Sequence, residues 1–164
     1  LLAAQASCRG QPLSSNVRPR SHPRSLVSRM AKDQRTLDQL LHGVVSALFP
    51  GGNQPQPLTV GMTDSEGDTP LHVYARRNDG WAVRVLLNSS ADPNAVGDMG
   101  ETPLHLAAKI ASAETMAALL AAGAREDVVS EFGQTPEQVA KDRGRVSVYR
   151  EAKLLARDAR RRHV

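Results

Sequence analysis

Five histidines, His22, His42, His72, His105 and His163, are the side chains best suited to proton transfer or metal ligation near neutral pH. No two of them lie within one helical turn of each other, so the paired-histidine zinc helix is absent. Asp64, Glu66 and Asp68 alternate as acids of a calcium loop do, but the position that should close such a loop with a bidentate glutamate is Ala75. Neither a Gly-x-Ser-x-Gly nucleophile turn, nor a Gly-x-Gly-x-x-Gly turn, nor a phosphate-loop lysine occurs. The one cysteine, Cys8, rules out an internal disulfide and a paired-thiolate zinc site. Asn88-Ser89-Ser90 matches a glycosylation acceptor, which matters only in a secretory chain. The expectation is a chain with no catalytic residues, no metal and no cofactor.

The elements that must position these residues are helices. The chain has 164 residues, 40% hydrophobic and 23% charged, which suits one compact domain with room for tails. Aromatic residues make up 3%, too few for a series of base-stacking platforms, so the core must be aliphatic and alanine-rich. The net charge of +4 is unevenly spread: residues 1–32 carry six bases and no acid, residues 141–164 carry nine bases against three acids, and the middle is acidic. A phosphate-tracking stripe across the body is therefore disfavoured. No run of about 18 apolar residues occurs, so no segment reads as a membrane helix.

Residues 1–29 are rich in Ser, Pro and Arg and lack apolar periodicity, which predicts a disordered arm or a leader. Arginine and serine without acid fit an organelle transit peptide and Leu1-Leu2-Ala3-Ala4-Gln5-Ala6 fits the end of a truncated signal peptide, but the leading expectation is an untargeted disordered or non-native leader. Met30 would start the folded part in a cytoplasmic protein. From Thr36 to Phe49, Leu37, Leu40, Leu41, Val44, Val45 and Leu48 recur at three and four, so a helix forms there. Pro50-Gly51-Gly52 ends it, and Pro55 and Pro57 keep the following stretch extended.

Beyond it the chain repeats. Thr69-Pro70-Leu71-His72 recurs as Thr102-Pro103-Leu104-His105 and, degraded, as Thr135-Pro136-Glu137-Gln138, at a constant step of 33 residues. A glycine (Gly67, Gly100, Gly133) precedes each threonine by two, and Leu86-Leu87 matches Leu119-Leu120 one step on. Threonine suits a helix N-cap and the proline after it the first helical position, a start worth ~1 kcal/mol. Gly123 suits a left-handed helix stop, with Ser90 in its place one step earlier. The motif and period resemble the ankyrin repeat, over residues 64 to about 153.

That resemblance implies an all-α solenoid of stacked helix-turn-helix units with hairpin-like loops, arranged as a capping helix and connector in 30–63, repeats in 64–96 and 97–129, and a cap in 130–164. It implies that His72 and His105 buttress loops rather than catalyse. It also implies a monomeric scaffold or adaptor that binds a protein partner through loop tips and the exposed side of each first helix. Carried over position by position, the tips are Ser65, Glu66 and Asp68, then Asp98, Met99 and Glu101, then Glu131, Phe132 and Gln134. The helix positions are Arg76 and Arg77, Lys109 and Ile110, and Asp142 and Arg143. Phe132, apolar where the repeat does not demand it, is the first candidate anchor. The alternative is an electrostatic tether in which Arg157, Arg160, Arg161, Arg162 and the amino-terminal arginines hold nucleic acid or an anionic membrane.

Overall fold

Recurrence in sequence becomes recurrence in space. The computed structural model describes residues 36–53 and 55–162, so the arm at 1–29, Cys8, Met30, His22 and His163 lie outside the described residues. Among the described residues there are seven α-helices and no strand: α1 (Leu37–Leu48), α2 (Pro70–Arg76), α3 (Gly80–Asn88), α4 (Pro103–Ile110), α5 (Ala113–Ala121), α6 (Pro136–Asp142) and α7 (Val146–Arg161). Helices α2, α4 and α6 lie side by side in one layer, α3, α5 and α7 form the second, and α1 packs against α2 and α3.

Each start is written locally. Thr36 and Gln39 close a capping box on α1, with the Gln39 N–H reaching the Thr36 hydroxyl at 3.3 Å and the Thr36 N–H reaching Gln39 Oε1 at 3.0 Å. Thr69 and Thr102 take a different form from the hydroxyl cap that the sequence suggests. Their backbone N–H groups donate to Nδ1 of His72 (3.0 Å) and His105 (3.1 Å), so the histidine of the motif is itself part of the cap. At α6 the box reverts to an amide, with Gln138 Oε1 accepting from the Thr135 N–H at 2.8 Å. The second helices open on Asp79 and Ser112, which accept from the N–H groups of Ala82 and Thr115. Ser90 (φ 67) and Gly123 (φ 96) stop α3 and α5 in the left-handed region.

Packing follows from residue size. Leu71, Leu86, Leu104, Met116 and Leu119 are fully buried, while Ala75, Ala82, Ala107, Ala108 and Ala140 line the contacts between helices and let their axes come close. One face of α1, made by Leu40, Leu41, Val44 and Leu48, is buried, and the Tyr74 hydroxyl of α2 donates to the Leu40 carbonyl at 2.8 Å. At the other end α7 runs 16 residues, longer than the nine of α3 and α5, and packs along α5. Tyr149, Ala152 and Ala156 make its buried side, whereas Leu154 and Leu155 face outward. Burial, with Glu126 beside it, raises the Tyr149 phenol, which donates to Glu126 Oε2 at 3.2 Å. Arg145 and Arg160 then donate to the carbonyls at the ends of α4 and α5, Arg145 to Lys109 and Ala111 and Arg160 to Leu120 and Ala121. Positive charge thus meets the exposed carbonyls at the C-termini of α4 and α5.

Candidate functional site

Three turns of the same construction stand at one edge of the first-helix layer. The N–H of the first residue bonds the carbonyl of the fifth in Asp64–Asp68 (3.1 Å), Gly97–Glu101 (2.9 Å) and Ser130–Gln134 (3.0 Å). The fourth residue, Gly67, Gly100 or Gly133, has φ of 90, 68 or 71, which glycine alone adopts without a steric penalty. Neighbouring tips are tied together, since the Glu131 N–H donates to the Met99 carbonyl at 2.9 Å.

Each tip is braced to its own helix across eight residues. Asp68 pairs with Arg76 at 2.6 Å and Glu101 with Lys109 at 2.6 Å, while in the third copy the Gln134 amide donates to the Asp142 carboxylate. The second and third tips are also braced to the preceding repeat. Nε2 of His72 donates to the Glu101 carbonyl at 3.2 Å and Nε2 of His105 to the Gln134 carbonyl at 3.0 Å. With Nδ1 accepting and Nε2 donating, both rings are neutral. Burial lowers the pKa of each, and the nearest charges, Asp68 and Arg76 at His72 and Glu101 and Lys109 at His105, oppose one another. Every polar ring atom is thereby used in holding the fold.

Second-copy and third-copy tips differ in one detail. A Cβ on Gly97 would stand 2.1 Å from Asp68 Oδ1 and 3.0 Å from His72 Nε2, so the tip closes on the preceding repeat only because no side chain is there. Asp68 uses that approach to accept from the Asp98 N–H at 3.2 Å. One step on, Ser130 replaces the glycine, Glu101 replaces the aspartate, and the Glu131 N–H turns to the Met99 carbonyl instead.

The structure divides the residues named from the sequence into two groups. Asp68 and Glu101, each 6% exposed, are turned inward into the braces, with Arg76 and Lys109 as their partners. Those acids hold the tips rather than offering themselves to a partner. Arg77 lies over the Tyr74 ring at 5.8 Å and donates to the Gly43 carbonyl of α1. Ser65, Glu66, Glu131 and Arg143 are exposed. Met99 (47%), Ile110 (51%) and Phe132 (63%) are exposed apolar side chains, and Met99 and Phe132 occupy the same place in successive tips. Val96 (58%) and Val129 (56%), three residues before them and equally repeat-related, are exposed too. Their recurrence at a step of 33 is the signal in the sequence that marks them. Shallow clefts lie along this edge, one of about 290 Å³ between the end of α1 and the first two tips, another of about 280 Å³ beside Phe132, Lys109 and Arg143.

Elsewhere the candidates thin out. The terminal arginines belong to α7, and Arg160 is engaged in capping α5. Among the described residues no group of three or more His, Cys, Asp or Glu is placed to hold a metal ion. None of the described helices is long and apolar enough to cross a membrane. A family model described as ankyrin repeats (3 copies) matches residues 30–130, which takes in α1 through α5. Helices α6 and α7 follow the matched residues. No curated protein matches the chain.

Proposed function

The chain belongs to the ankyrin repeat family, and from that premise we propose that it is a non-catalytic adaptor that engages a protein partner through its tips and first-helix edge. Ankyrin repeats generally mediate protein–protein interaction and are typically non-catalytic. The observation that carries the reading is the recurrence of exposed apolar side chains, Met99 and Phe132, on tips held in place by the Asp68–Arg76 and Glu101–Lys109 braces. Interface anchors are large side chains of this kind ringed by polar groups. The contact residues are Ser65, Glu66, Asp98, Met99, Ile110, Glu131, Phe132 and Arg143, with Arg76, Arg77 and Lys109 behind them. The protein acts in this way as a monomer in the cytoplasm.

The test is affinity capture from cell extract with the full chain, beside a Met99→Ala/Phe132→Ala variant and a Leu154→Ala/Leu155→Ala variant of matched helicity. A protein retained by the wild type and the α7 variant, but lost with the tip variant, supports the reading. Retention of the same protein by the tip variant would sink it.

A further inference from the structure

The exposed tips present paired chemistry. At the second and third positions of the three turns lie Ser65-Glu66, Asp98-Met99 and Glu131-Phe132, so a carboxylate recurs at every tip and an apolar side chain stands next to it in the second and third turns. Charge compensation along this edge is incomplete. The acids Asp68 and Glu101 are neutralised by Arg76 and Lys109, but Glu66, Asp98 and Glu131 have no ionic partner among the described residues. Of the cations nearby, Arg76 and Lys109 are consumed in those braces, whereas Arg77, resting over the Tyr74 ring, and Arg143 have no ionic partner among the described residues. Asp64 and Asp142 line the same clefts and are likewise without an ion pair, so five carboxylates face two guanidiniums, a net negative edge that attracts ammonium and guanidinium groups.

Spacing fixes the form of the ligand. The first helices α2, α4 and α6 pack side by side, so their tips step at the helix-packing distance of roughly 8–10 Å. An extended chain, at about 3.3 Å per residue, covers that step in about three residues. We infer, building on the tip-face reading above, that the partner segment is an extended stretch of polypeptide with lysine or arginine at about every third position and apolar side chains between. The basic groups meet Glu66, Asp98 and Glu131, and the apolar ones cover Met99 and Phe132. Met99 itself is held at φ 54, a left-handed conformation unfavourable for its residue type, which keeps its side chain at the tip surface.

The experiment titrates the full chain with three peptides, (Lys-Leu-Ser)3, (Glu-Leu-Ser)3 and (Lys-Ser-Ser)3, and follows backbone amide shifts. Expected are shifts of the amides of residues 98–100 and 131–133 with the first peptide and much weaker ones with the other two. The Asp98→Asn/Glu131→Gln variant should weaken the first peptide about tenfold. Equal or tighter binding of the glutamate peptide at the same amides would overturn the charge assignment and leave the tip face standing. Equal binding of (Lys-Ser-Ser)3 would overturn the apolar part. If no peptide moves these amides, the inference fails, and the capture experiment decides separately whether the face binds a protein.

Discussion

His72 reaches across the repeat boundary to donate to the backbone carbonyl of Glu101 at 3.2 Å while accepting from its own cap, Thr69, at 3.0 Å. One imidazole thereby satisfies a helix start and a loop of the next unit together. His105 does the same between Thr102 and Gln134, and the third copy has Gln138 at that position, which closes its own cap through Oε1.

Acid should loosen these bonds. Protonation puts a hydrogen on Nδ1, which then faces the Thr69 or Thr102 N–H and can no longer accept from it. Burial lowers both pKa values below that of a free imidazole, about 6.5, so the neutral ring is favoured in the folded state. Stability from these groups is complete above that value and is lost as pH falls below it, because the unfolded chain takes up protons first. Thermal unfolding at pH 7.5, 6.5 and 5.5 should show a falling Tm. The His72→Gln/His105→Gln variant, which copies the box of Gln138, should start lower but lose less over the same range. An equal decline in both proteins would place the acid sensitivity elsewhere.

Gly97→Ala should be among the most destabilising small changes. The added methyl meets the Asp68 carboxylate, which cannot swing aside without giving up Arg76 and the Asp98 N–H. Overpacking of this kind costs about 1–3 kcal/mol, read as a lower urea midpoint at constant slope. Adding Asp68→Ala should remove the closer of the two contacts and leave only the tight one at His72, so the double variant should fall short of the sum of the two single losses.

How much of this was legible in the sequence follows from the same residues. The period of 33 and the Thr-Pro-Leu-His motif exposed the helix pairs because a stack needs the same face at the same interval. Leu40, Val44 and Leu48 likewise gave α1 by their spacing alone. What remained hidden was which polar tip residues were already spent. Asp68 and Glu66 are both acids on one tip, yet only the tertiary position of Arg76 turns the first inward and leaves the second free. The outward placement of Leu154 and Leu155 was hidden for a similar reason, since Tyr149, Ala152 and Ala156 offer a smaller surface that lets α7 lie closer to α5.

Tyr74→Phe should release α1 without disturbing the repeats. The hydroxyl donates to the Leu40 carbonyl, which also has its helical partner, so its removal loses one buried hydrogen bond at a cost of about 0.5–1.5 kcal/mol. Amide exchange in residues 40–48 should quicken, while that of α4 and α5 is unchanged, since α1 packs against α2 and α3. Uniform acceleration across all helices would mean that α1 is not a separable cap.

Met99→Gly separates what the tip does for the fold from what it does for a partner. The left-handed φ of 54 costs a side-chain-bearing residue about 1–2 kcal/mol, which glycine relieves. Glycine gives back roughly 0.5–1 kcal/mol through the greater freedom of the unfolded chain, so the two nearly balance. Tm should hold or rise slightly, because the Met99 carbonyl still accepts from Glu131 and the turn from Gly97 to Glu101 needs no side chain there. Binding of (Lys-Leu-Ser)3 should nevertheless weaken severalfold, since the exposed thioether is gone. A variant that loses stability as well would show that Met99 packs into the tip, and a variant that keeps full affinity would remove Met99 from the contact surface and leave Phe132 as its anchor.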